Sequence, residues 1–576
     1  MKNYDLYPEI NIDKYSDAWR GYHTIINALL KKIEVINKDK IVLAIECYPG
    51  VDNEELLNSL IYKLNPNKII FADDAAIDGD LITDKVKRNL TDDRVFGVMS
   101  HFIMEEFFPK EAIIKEEEYE EGLTVVYGTG ATIIASPDIL VYADLARWEI
   151  QLRFRKGLSN WKIENPNEET LKKYKRGYFF EWRIADRQKS KMFSNVDFLL
   201  DTNSKDDPKM ITGEDYRYGL SQVVKTPFRV VPYFDISLWG GQWMKERFGL
   251  NPELDNYGWA FDGIPEENSL YLRYGEVRVE VPSLNVVHQF PDELLGPKVR
   301  SRFGKEFPIR FDFLDTMGGG NLSLQVHPLT EYIQDKFGMH YTQDESYYIL
   351  DAKDDATVYL GVKNNTKLNE LMEDLKKAEE SDYRFPDEKY INIFNAKKHD
   401  HFLIPAGTIH CGGSNTVILE ISATPYIFTF KLWDWGREGL DGRPRPVHLQ
   451  HGGENIQINR TTDWVEKNLI NRFETLYEDD REKIERTGLH ELEYLETRRY
   501  WFEDKIELET MGSVNMLNLV EGEEAVVESL DGSFEPYTVH FGETFIVPEQ
   551  IKKYNIRPAI NAEGKEHAVI QAFVRN

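Results

Sequence analysis

Two stretches of this chain echo each other. HDHFLIPAGTIH, ending at His410, is shadowed near the C-terminus by VHFGETFIVPEQIKKY, with Pro405 and Pro548 in matching places. Such self-similarity predicts two copies of one β unit, and that constrains the fold more than any other feature of the sequence. The copies are not chemically equal. Five residues past the first proline stands His410, and five past the second stands Lys553. An ammonium group cannot replace a neutral imidazole as a metal ligand, so only the first copy can carry a metal, and the second is expected to be a structural barrel.

The texture around these hairpins agrees. From about residue 220 the chain reads as short strands and turns, broken by one helical insert, TKLNELMEDLKKAEES, from Thr366 to Ser381. The first 200 residues or so read differently. IVLAI at 41–45 is a short apolar strand, and ECYPGVDNEELLNSLIYKL is a turn running into an amphipathic helix. KIIFADD, RVFGVMS, LTVVYGTGAT and DILVYADL follow as candidate strands, alternating with polar helical stretches such as PKEAIIKEEEYEEG. That rhythm predicts an open α/β sheet. DTNSKDDPKMITG, from Asp201 to Gly213, is polar and broken by Pro and Gly, as in a linker. The expected fold class is therefore multidomain: an α/β domain over 1–205, a metal-binding β-barrel domain over 206–460, and a second, metal-free barrel over 461–576. A length of 576 residues suits roughly three or four units at about 150 residues each.

A net charge of −29 argues against nucleic acid, whose binding depends on clustered Lys and Arg. It leaves a small anionic substrate possible, because a pocket needs only a few local cations. No apolar run approaches the roughly 18 residues of a membrane helix, and MKNYDLYPEINIDKYSDAW has neither the basic nor the apolar region of a secretory signal. The expectation is a cytoplasmic protein with no membrane partner. Cys47 and Cys411 are the two cysteines and lie far apart, so neither a disulfide framework nor a thiolate zinc site is expected. YPGVDNEE, after the first strand, lacks the GxxxxGK[ST] run that cradles phosphates, which predicts no working nucleotide site there.

LSLQVHPL, from Leu322 to Leu329, alternates cleanly. Leu322, Leu324 and Val326 point one way, while Ser323, Gln325 and His327 point the other. Glu345 in YTQDESYYIL opens the next strand, and His410 ends IPAGTIH. Two imidazoles, a carboxylate and an amide oxygen converging in a small barrel suit Zn²⁺; manganese, iron or cobalt would also fit.

LSLQVHP, ESYYILDA, IPAGTIHCGG, VILEIS and FKLWDWGR together resemble the type I mannose-6-phosphate isomerases, zinc enzymes built on cupin barrels, over roughly residues 220–576. The resemblance implies one zinc per chain on Gln325, His327, Glu345 and His410, and a sugar phosphate as substrate. It implies Glu420 as the base, Lys431 and Arg437 as catalytic cations, and Ser323 with Arg437 in substrate binding. Trp433 and Trp435 read as core residues. Two departures stand out. The family's short members read K-T-E where this chain has Gln343, Asp344 and Glu345, so a cation near the metal is missing, and Lys431 stands where they carry an arginine. These departures keep a catalytically decayed sugar-binding regulatory protein in view, and a metal-dependent cupin oxygenase is the rival within enzymes. The N-terminal 200 residues resemble a uridine-kinase-like P-loop domain with an empty phosphate loop.

Overall fold

The computed structural model describes residues 3–438, 446–488, 490–562 and 564–575, with the side chain of Asn561 left aside. The chain divides into two compact units: Glu9–Val223 with Glu266–Gln289, and Met1–Pro8 with Val224–Pro265 and Phe290–Asn576.

The first unit is built on a seven-stranded sheet. Across it the strands run Ala18–Arg20, Lys209–Thr212, Phe198–Asp201, Ile139–Asp144, Lys40–Cys47, Gly122–Gly128 and Lys68–Phe71. The last five are parallel to one another, and Lys40–Cys47 is buried at seven of its eight positions. A continuous apolar run such as IVLAI is what a strand covered on both faces requires.

Three expectations change here. RVFGVMS forms no strand: Val98 exchanges backbone and side-chain hydrogen bonds with Asn89, and Ser100 N donates to Phe179 O, so the segment is pinned by local partners and not by a ladder. PKEAIIKEEEYEEG yields two single 3₁₀ turns, Lys110–Ala112 and Glu116–Glu118, because glutamates spaced three and four apart repel along a helix. The linker expected at 201–213, with its domain boundary at 205/206, is instead a hairpin inside the sheet, with Phe198–Asp201 paired antiparallel to Lys209–Thr212. Its polar residues satisfy one another: Asp201 Oδ1 accepts from the backbone and side chain of Asn203. The unit then continues through helix Gly213–Val223, and residues 266–289 return to it as the hairpin Ser269–Tyr274/Val277–Pro282, whose first strand pairs in parallel with Glu9–Asn11.

The second unit holds two pairs of antiparallel sheets. In the first, a six-stranded sheet orders His401–Ile404, Glu345–Ala352, Thr416–Ala423, Ile309–Asp315, Trp259–Gly263 and Tyr233–Asp235. It faces a five-stranded sheet of Ile391–Asn395, Thr357–Val362, His410–Gly412, Leu324–Val326 and Phe430–Trp433. The helical insert forms as Leu368–Glu380. The second pair comprises a six-stranded sheet running from Glu474–Glu478 to Thr544–Val547 and a four-stranded one containing Lys553–Pro558. Its interior is largely apolar, with Phe502, Leu517, Leu519, Val527, Phe545 and Ile556 among the buried side chains, around a buried hydrogen-bonded set of Tyr500, Gln571, Asn515 and Tyr554. Lys553 points away from that interior, exposed and ion-paired to Glu507 and Glu509. No helix among the described residues is long and apolar enough to cross a membrane.

Candidate metal centre

Cross-strand register explains how separate segments meet in the first barrel. Across the five-stranded sheet, Leu360 lies opposite His410, His410 opposite Gln325, and Gln325 opposite Lys431, so the four share one face. Across the six-stranded sheet, Arg310, Ser422, Glu345 and Ile404 form one row. Asp312, Glu420, Tyr347 and Phe402 form another on the same face. The two faces meet inside the barrel: Glu345 Oε1 lies 2.6 Å from His410 Nε2, and Glu345 Oε2 lies 3.2 Å from His327 Nε2. Leu322, Leu324 and Val326 are buried on the opposite side, as the alternation of LSLQVHPL requires.

His327, Glu345 and His410 form a group of buried ligand atoms that could hold a metal ion. The donors suit the purpose. His410 Nδ1 donates to Thr408 O at 2.9 Å, and His327 Nδ1 faces Phe428 O at 3.4 Å. These carbonyls fix the tautomers that leave both Nε2 lone pairs aimed at the common point. Neither His327 Nε2 nor Glu345 Oε1 makes a well-formed hydrogen bond despite complete burial. Buried polar atoms are rarely left in that condition without a purpose. Burial would raise the Glu345 carboxyl, but His327 and His410, when protonated in the metal-free site, outweigh it and hold the group well below the usual carboxylate range. Gln325 brings its side-chain amide to 3.2 Å from His410 Nε2, within reach of the same point.

Glu420 joins this group through Gln343. The Gln343 Nε2 amide lies 3.1 Å from both Glu345 Oε2 and Glu420 Oε1, so one NH₂ group spans the two carboxylates. Glu420 Oε1 also accepts from Arg310 Nη1 at 3.0 Å and Ser422 Oγ at 3.1 Å. Burial, then the negative charges of Asp312 and Glu345, push the Glu420 carboxyl well above its ordinary range, and Arg310 partly opposes them. Position 343 carries an amide and no cation, and a buried guanidinium stands instead beside Glu420: Arg310, from a strand far from Gln343 in sequence. The alternation of IRFDFLD, with Arg310 and Asp312 at the two-residue period of a buried strand, was the available signal for it.

The other expected residues are arranged differently. Ser323 Oγ donates to Asp434 Oδ1 at 2.9 Å, and Arg437 Nη2 binds the same oxygen at 2.6 Å. Ser323 and Arg437 are thus joined through Asp434, and Arg437 also closes the Asp434 turn with its backbone N–H. Trp433 and Trp435 are half-buried and not core residues; the Trp435 indole donates to Leu322 O at 2.6 Å.

Fold and site together place a possible His327/Glu345/His410 metal site between two antiparallel β-sheets. Residues 21–225 match a family described as a domain of unknown function (DUF8485). The chain is similar to the probable mannose-6-phosphate isomerase GmuF of Bacillus subtilis (strain 168), 29% identical over 236 residues that span 40% of this chain and 69% of that protein. It is also similar to the mannose-6-phosphate isomerase ManA of the same organism, 24% identical over 304 residues, 52% of this chain and 86% of that protein. Among solved structures, the mannose 6-phosphate isomerase from Bacillus subtilis aligns over 60% of this chain and 99% of its own, at 18% identity and a TM-score of 0.49.

Proposed function

We propose that the first barrel is an aldose–ketose isomerase acting on a sugar phosphate, and that it interconverts mannose 6-phosphate and fructose 6-phosphate. The observation that carries this reading is the Gln343 bridge, which ties a buried carboxylate of raised basicity, Glu420, to a His/Glu/His cluster with converging lone pairs. The relatives named mannose-6-phosphate isomerase support the substrate class.

In this reading Gln325, His327, Glu345 and His410 hold one divalent ion, with zinc favoured by the borderline N/O donor set. The ion would supply Lewis acidity to a sugar carbonyl when bound. The rest falls to the side chains. Isomerisation moves a proton between C2 and C1 through a cis-enediolate, with a hydroxyl proton shifting between O1 and O2. Glu420 takes the carbon proton and returns it to the adjacent carbon, a task suited to a carboxylate whose burial strengthens it as a base. Lys431, directly across the sheet from Gln325, and Arg437 stabilise the negative charge that grows on the enediolate oxygens. Ser323 and Arg437 take part in holding the substrate. Gln343 keeps Glu345 and Glu420 at a fixed separation. A Gln343→Leu protein is therefore expected to fold normally and to bind the divalent ion about 10–100-fold more weakly, the usual cost of losing a partner of a ligand. Competition with a chelator measures it; unchanged affinity would remove Gln343 from the role.

A coupled turnover assay with mannose 6-phosphate tests the reading. Metal-dependent formation of fructose 6-phosphate supports it; binding without turnover favours the regulatory alternative, and oxygen consumption without isomerisation favours the oxygenase.

We further propose that the first unit is a kinase-like α/β domain that has lost its phosphate cradle. In the loop where phosphates would lie, a Cβ on Gly50 would meet Ile150 at 2.8 Å, so the chain's own side chain crowds the loop. Asp52 accepts from Glu55 N and occupies the start of the following helix, whose first turn also carries Glu54 and Glu55. Negative charge there repels phosphate. Titration calorimetry with ATP and magnesium is expected to give no saturable heat; micromolar affinity would contradict the proposal.

A further inference from the structure

A cavity of about 420 Å³ opens in the second unit, walled by helix and loop residues between 302 and 344 and between 492 and 575. Asp344 lines it. Successive residues of an extended chain point to opposite sides, so Asp344 faces this cavity while Glu345 faces the barrel interior. None of His327, Glu345, His410 or Glu420 contributes to its walls.

The lining is ordered by charge. Arg302 and His340 are exposed at the rim, together with the half-buried Arg575, whereas Tyr341 and Glu493 are buried deeper. The Arg302 guanidinium lies 4.9 Å from the ring centre of Tyr494 and 5.1 Å from that of Phe303. A guanidinium packed against aromatic faces keeps a fork of N–H donors on its edge, which suits a planar or tetrahedral oxyanion. Deeper in, the Glu493 side chain is 6% exposed and its Oε1 has no hydrogen bond. Asp344 Oδ1 accepts from Ala406 N at 2.8 Å. Buried carboxyl oxygens want donors, and vicinal hydroxyls provide them. The volume lies within the roughly 300–1,000 Å³ range of small-molecule sites.

We propose that this cavity is a second binding site, taking a phosphorylated polyol or sugar with its phosphate at Arg302, Arg575 and His340 and its hydroxyls on Glu493 and Asp344. The site stands whether or not the barrel interior isomerises anything. Both guanidiniums are needed because two carboxyl groups also line the cavity, and an anion enters only where the cations outweigh them.

Equilibrium dialysis of the full-length protein with glucitol 6-phosphate, which has no carbonyl to isomerise, tests the proposal. His410→Ala impairs the barrel interior, so the equivalent that this protein still binds reports on the second cavity. Adding Arg302→Ala and Arg575→Ala to it is expected to weaken that binding at least tenfold with little change in Tm, since Arg302 is exposed and Arg575 only half-buried. Glu493→Gln in the same background is expected to weaken glucitol 6-phosphate but not inorganic phosphate. No saturable binding to the His410→Ala protein, or binding indifferent to loss of both arginines, would overturn the proposal. Equal effects of Glu493→Gln on the two probes would overturn the placement of the hydroxyls.

Discussion

A His410→Ala protein is expected to fold and to carry no stoichiometric divalent ion. His410 gives its Nδ1 proton to Thr408 O and turns Nε2 toward Glu345 and the Gln325 amide. Alanine removes one converging lone pair and leaves Glu345 Oε1 facing a gap. Loss of a single outer partner of a ligand already costs about 10–100-fold in affinity, so loss of the ligand itself should exceed roughly 100-fold. Elemental analysis after dialysis is expected to give about one ion per chain for the natural protein and a small fraction for the variant. The second barrel provides an internal control: Lys553 pairs with Glu507 and Glu509 at its surface, so Lys553→Ala should leave metal content unchanged.

Glu420→Gln is expected to keep the ion and lose on the order of 100-fold or more in turnover, the scale of one positioned general base. The substitution preserves shape and removes the charge. Arg310 would then lose its ion pair with Glu420, but Asp312 Oδ2 remains 3.3 Å from Arg310 Nη2, so the guanidinium stays partnered. Retained metal with reduced kcat and little change in KM is the signature of a group acting on the transferred proton. A Glu420→Gln enzyme with full metal and near-normal turnover would move the search to Asp312, which shares its face and its buried row.

Much of this site was legible in the sequence because its chemistry interrupts regular patterns. Gln325 and His327 break an otherwise apolar strand at the two-residue period, and Pro405 to His410 is a spacing that a second copy repeats with a lysine. Arg310 and Asp312 carried the same signal, yet a strand alone does not say which residues lie across from it, and it is the pairing of Ile309–Asp315 with Thr416–Ala423 that brings Arg310 to Glu420. Gln343 read as a lost cation, whereas its amide is a two-way donor between carboxylates that are distant in sequence. The return of residues 266–289 to the first unit left no local trace, because a hairpin that joins Glu9–Asn11 differs in no compositional way from the barrel strands around it. Trp433 and Trp435 read as core by size, yet both are half-buried, with the indole N–H of Trp435 committed to the carbonyl of Leu322.

In the proposed reaction the metal-facing cluster and Glu420 move a proton between C2 and C1 of a hexose 6-phosphate. Proton NMR of mannose 6-phosphate in deuterated buffer, with the metal-loaded protein, follows that event directly. Conversion to an equilibrium mixture with fructose 6-phosphate is expected, slowed on the order of 100-fold by Glu420→Gln at equal metal content. A spectrum that stays unchanged over many hours with the fully metal-loaded natural protein would contradict it.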